Sequence, residues 1–175
     1  ANLQMIFRVA AQAQLQWLAL LPMTLICAWL AWRWQFWRAA QPRLLLTLFI
    51  GWGGLITGLA VGSIQGLLLY TGQGFWAPRA PEHLIGIGFF AAMVIAMGTR
   101  VTLGHSGRPL AMGSLAWWAM LALLLCAALR VMAELTDRPT GWLIASAVVW
   151  IAAGFAWSWR YAPMLIMPRA DQKPG

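Results

Sequence analysis

Residues 44–70 read LLLTLFIGWGGLITGLAVGSIQGLLLY, and no charged side chain occurs between Arg43 and Arg79. The run exceeds the roughly 20 residues that carry a helix across a bilayer core of about 30 Å. It predicts a membrane-spanning helix, and the rest of the chain reads the same way. Hydrophobic residues fill 62% of the 175 positions and charged residues only 9%, too little charge to cover a soluble domain. The fold class is therefore all-α: a polytopic transmembrane helix bundle forming a single transmembrane domain over residues 1–175.

Five spans are predicted, at about 15–36, 44–70, 83–103, 110–132 and 141–159, followed by a tail over 160–175. The first closes on AWRWQFWR. Pro42 and the turn-forming strings TGQGFWAPRAPE, GHSGRP and TDRPTG separate the spans. Five crossings put the two ends of the chain on opposite sides. One side collects Arg8, Arg79, Arg130 and Arg138 with Glu82, Glu134 and Asp137. The other collects Arg33, Arg38, Arg43, Arg100, Arg108, Arg160, Arg169 and Lys173 with Asp171. Eight basic residues against four predict that the second side, with the tail and the 97–110 loop, is cytoplasmic. Trp17, Trp76 and Trp142 would then mark the outer interface, and Trp34, Trp37, Trp117, Trp118, Trp157 and Trp159 the inner one.

The net charge of +8 fits this topology better than a nucleic-acid partner, because the arginines end apolar runs instead of lining one amphipathic face. Membrane lipid is the expected partner. The chain opens without Met and without a cleavable signal, and ANLQMIFRVAAQAQ reads as a connector. A processed chain, or part of a longer polypeptide, is expected.

Gly54, Gly58, Gly62 and Gly66 recur every four residues and so leave one helix face nearly bare. Such a face predicts close packing against another helix, with a flat cofactor in the groove as the alternative. Cys27 and Cys126 stand mid-span with neither C-x-x-C nor zinc spacing, and read as buried small residues. Arg130 and Glu134, four apart at the outer end of the fourth span, predict a local ion pair. His83 and His105 lie 22 residues apart on the third span, ~33 Å along a helix axis. They cannot share one ion within this chain. Each reads by itself as an interfacial hydrogen-bonding histidine, and Met93 and Met97 as filler between helices.

The least apolar interior stretch is MGTRVTLGHSGRPL, residues 97–110. Arg100 and Arg108 flank His105, and two guanidiniums with an imidazole suit a carboxylate or phosphate. Gly104 and Gly107 permit conformations that expose amides. No phosphate-loop pattern is present. The alternative is a tight cytoplasmic turn, with Pro109 opening the fourth helix.

HLIGIGFFAAMVIAMGTRVTLGHSGRPL, together with the terminal RYAPMLIMPRADQKPG, resembles the C-terminal portion of the NnrS family. The likeness is strong over the third span, its following loop and the tail, and general elsewhere. It implies a bacterial inner-membrane protein of about twelve helices. It also implies association with haem b and copper, and a role in denitrification and in relief of nitric oxide stress. The family's helix-start histidine falls on His83, and the one in its TLGHTGRPL-like loop on His105. Ser106 replaces a common threonine. The loop arginines fall on Arg100 and Arg108. The resemblance thus implies metal ligation at His83 and His105 and cofactor binding at Arg100, His105 and Arg108. The sites would be completed by the N-terminal half of the same protein or by a partner chain.

Two other classes remain open: a carrier or assembly factor for haem, copper or a small solute, and a non-catalytic scaffold subunit of a respiratory complex. No Ser/His/Asp arrangement, intramembrane carboxylate pair or nucleotide fingerprint marks an enzyme.

Overall fold

A computed structural model describes residues 14–40, 43–74 and 77–171. Arg8, Trp76 and Lys173, each assigned above to a membrane face, lie outside the described residues. Every regular element among the described residues is helical. Helix α1 is Trp17–Arg33, followed by a 3-10 turn at Phe36–Ala40. Helix α2 is Arg43–Tyr70, α3 is Ala80–His105, α4 is Ser114–Glu134 and α5 is Thr140–Tyr161, with a short α6 at Pro163–Ile166. Helices α2, α3, α4 and the rod Thr140–Ile166 are long and apolar enough to cross a membrane. The first predicted span is shorter, a 17-residue apolar helix. It ends at a turn where Gln35 takes φ 55°.

The helices pack side by side in chain order, α1 on α2, α2 on α3, α3 on α4 and α4 on α5. Two helical hairpins are thereby joined across α3. The four-residue glycine repeat forms the joints of α2 with α1 and α3. A Cβ on Gly54 would stand 2.5 Å from the Gly88 carbonyl oxygen, and one on Gly66 3.0 Å from the Trp17 nitrogen. Backbones meet only because side chains are absent, so the repeat serves helix packing. Within α3, Leu84–Ala91 is wound as a π-helix around this Gly54–Gly88 approach.

Glycines at positive φ close two helices. After α2, Gly72 (φ 81°) donates to Leu69 O at 3.1 Å, and Gln73 to Leu68 O at 2.8 Å. After α3, Gly107 (φ 67°) donates to Gly104 O at 3.2 Å, and Arg108 to Leu103 O at 3.0 Å. Both are glycine-terminated caps that satisfy the last carbonyls of the helix. GHSGRP is therefore a helix C-cap. Pro109 does not open the next helix: α4 starts at Ser114, after Gly113 with extended backbone (ψ 158°).

The charged groups partition by end. Arg79, Glu82, Arg130, Glu134, Asp137 and Arg138 flank the start of α3, the end of α4 and the start of α5. Arg43, Arg100, Arg108 and Arg160 lie at the opposite end, where Leu44, Leu103, Met112, Ala116, Tyr161 and Met164 form a buried cluster. Trp157, predicted at the inner interface, instead packs into the core against Gly98 and donates to the buried Thr99 Oγ1 at 2.8 Å. Both cysteines are free, and the buried Cys126 donates its thiol to Ser146 O at 3.2 Å.

Candidate functional site

At the end of the bundle where α3 begins, Pro81 in the first turn of α3 helps set the helix start, and His83 follows within that turn. Its partner comes from α4. His83 Nε2 stands 3.2 Å from Glu134 Oε1, with both side chains partly exposed. Glu134 Oε2 accepts the Arg79 backbone N–H at 2.7 Å, which ties the end of α4 to the start of α3. The ion pair expected between Arg130 and Glu134 is not the contact formed. Instead the Arg130 Nε is buried without a hydrogen-bond partner. The helical spacing was right, but a carboxylate at the end of α4 also faces the neighbouring helix, and that partner won.

At the opposite end, Arg100 and His105 share an open hollow of about 350 Å³ on the outward face of α3, with Met97, Val101, Gly104 and Leu110. Arg108 is turned away. Its side chain lines a second hollow of about 390 Å³ with Arg160, Tyr161 and Met164, and its Nη1 is buried without a partner. The αL turn at Gly107 reverses the chain between His105 and Arg108, so three residues of sequence distance become two faces. Met93 packs into the space left by Gly51, as filler should.

The tail returns to this loop. Ala170 donates to Ser106 O at 2.9 Å. The Asp171 carboxylate lies over Gly107, where a Cβ would meet Oδ1 at 2.5 Å. Arg169 grips Asp171 through two bonds, Nε to Oδ1 at 2.9 Å and Nη2 to Oδ2 at 2.7 Å. That hydrogen-bonded carboxylate raises the Arg169 pKa above its ordinary value. The two strings that carried the resemblance thus meet in space.

A family model described as NnrS protein matches residues 1–169. The chain belongs to the NnrS family. No curated protein and no solved structure gives a match to this NnrS-family chain. Its two histidines sit at opposite ends of α3 and can serve only separate centres. Among the described residues no three His, Cys, Asp or Glu side chains converge, so a metal bound here needs ligands from elsewhere. His83 with Glu134 supplies two donors of a type suited to copper or iron. His105 and Arg100 line one hollow and are of the types that serve a haem, imidazole for iron and guanidinium for a propionate. Arg108 does not face that hollow.

Proposed function

We propose that this NnrS-family protein is a haem- and copper-associated protein of the bacterial inner membrane that relieves nitric oxide stress. The family match over residues 1–169 carries the reading. In this reading His83 is a metal ligand near the outer face and His105 a ligand or propionate partner near the inner one. Arg100 would hold a haem carboxylate, and Arg108 an acidic group in its own hollow. Haem b and copper would supply the redox chemistry when bound. The remaining ligands would come from the N-terminal half of the same protein or from a partner chain, and lipid would cover the apolar exterior. The tail and the α3–α4 turn would face the cytoplasm. The closely packed glycine face, fixed on Gly88 and Trp17, supports a rigid joint and gives no support to the sliding surface a carrier would use.

Haem and copper content of the purified full-length protein tests the reading. His83→Ala and His105→Ala are each expected to lose a different centre, seen as separate changes in optical spectrum and metal stoichiometry. Wild-type spectra and metal content in both variants would remove the ligand assignment.

A further inference from the structure

The contact between His83 and Glu134 has a geometry that an ordinary hydrogen bond does not explain. The separation of 3.2 Å is within hydrogen-bond range, yet Glu134 Oε1 is buried and has no hydrogen-bond partner. The pair is therefore close without being a hydrogen bond. A buried carboxylate oxygen left unsatisfied is costly, and its presence needs a reason. Two donors on one tetrahedral metal ion, each about 2.0–2.1 Å from it, stand about 3.3–3.4 Å apart with both lone pairs aimed at the ion. The observed separation of 3.2 Å is close to that spacing, and the pair lacks the alignment of a hydrogen bond.

We propose that Glu134 is a metal ligand alongside His83: Nε2 of the imidazole and Oε1 of the carboxylate form half of one metal site where α3 meets α4.

Three features support the pair as ligands. The Arg79 N–H holds Glu134 Oε2 at 2.7 Å and so fixes the carboxylate rotamer with Oε1 directed at His83. This is the backing hydrogen bond that ligating carboxylates commonly receive. Glu134 is the last residue of α4, where the helix dipole disfavours a carboxylate and favours a cation beside it. Glu82 in the first turn of α3 counters the positive end of that helix. An imidazole nitrogen with a carboxylate oxygen suits a borderline divalent ion, Cu²⁺, Fe²⁺ or Zn²⁺, better than the soft Cu⁺. The inference rests on the proposed role of His83 as a ligand and adds a residue from a second helix.

The test uses metal-depleted full-length protein titrated with Cu²⁺ and read by electron paramagnetic resonance. Glu134→Gln is expected to weaken Cu²⁺ binding by about ten-fold or more. It should also shift g∥ and, in D₂O, introduce an equatorial water signal that the wild type lacks. His83→Ala is expected to remove one imidazole nitrogen from the pulsed spectrum. Glu134→Asp, which keeps the carboxylate on a shorter arm, should retain Cu²⁺ with an altered g∥, and it covers a failure of Glu134→Gln to fold. If the Glu134 variants keep the wild-type g∥ and gain no water while His83→Ala loses its nitrogen, Glu134 is not a ligand and the role of His83 stands. If His83→Ala keeps every imidazole nitrogen, the role of His83 falls first, and the proposed pair with it.

Discussion

Trp157 and Thr99 show how single side chains fix the helix stack. Thr99 is fully buried, and the indole N–H of Trp157 reaches it across the α3–α5 contact at 2.8 Å. Trp157→Phe keeps most of the ring packing and removes this bond. A loss of about 1 kcal/mol of stability is expected, measured by denaturant unfolding in detergent micelles. The two cysteines offer a second test. Cys126 is sealed between α4 and α5, whereas Cys27 is only half buried. N-ethylmaleimide should modify Cys27 first, and equal rates would mean that the α4–α5 joint opens readily. At this scale the sequence was a partial guide. Composition marked Trp157 as interfacial, because a tryptophan near the end of an apolar run has the same signature whether it meets headgroups or a threonine. Glu134 was placed at the correct end, but its partner depended on which residue of another helix arrived beside it.

At the scale of helices, the glycine repeat is where sequence and structure agree most closely. A period of four names a face, and a bare face in an apolar helix has little use except close approach. Gly54→Ala should therefore cost about 1–3 kcal/mol, since its Cβ would meet the Gly88 carbonyl oxygen at 2.5 Å. Gly53→Ala, one position away with nothing within 4 Å, should cost little or nothing. Equal losses for both would mean that the Gly88 contact does not carry the cost, because helix propensity by itself favours alanine. The π-wound stretch of α3 was not legible. LIGIGFFA is apolar on every side, so no periodicity distinguishes a helix of one pitch from another. Nor was the start of α4, because Pro109 allows a helix start without requiring one. Gly107→Ala would strain a residue at φ 67° and drive its methyl group into Asp171. The expected outcome is a released tail, seen as faster proteolytic trimming beyond Tyr161 with α3 otherwise intact.

Over the whole molecule, the apolar exterior is continuous on the outer helices. Ile144, Val148, Ile151, Phe155 and Trp159 form an exposed stripe down α5, and Leu18, Leu21 and Leu25 lie exposed along α1. A bundle with such a surface is stable only where the surroundings are apolar too. The proposed orientation predicts that a fluorescent protein fused after the tail glows and that alkaline phosphatase fused there is inactive. The opposite pattern would invert the positive-inside assignment. The order of the helices and the four long spans were readable because a bilayer demands about 20 apolar residues whatever else a helix does, whereas the first predicted span forms a helix of only 17 residues. The meeting of tail and loop was not, since nothing local in RYAPMLIMPRAD names the turn it lies against.

Helix α1 is eleven residues shorter than its neighbour α2, a difference of about 16 Å in rise. Helices of such unequal length, side by side in one bilayer, meet its thickness differently. The longer can lean, kink or extend past the hydrocarbon, and the lipid beside the shorter can thin. The α1 edge is therefore where any mismatch with the thickness of the surrounding membrane falls.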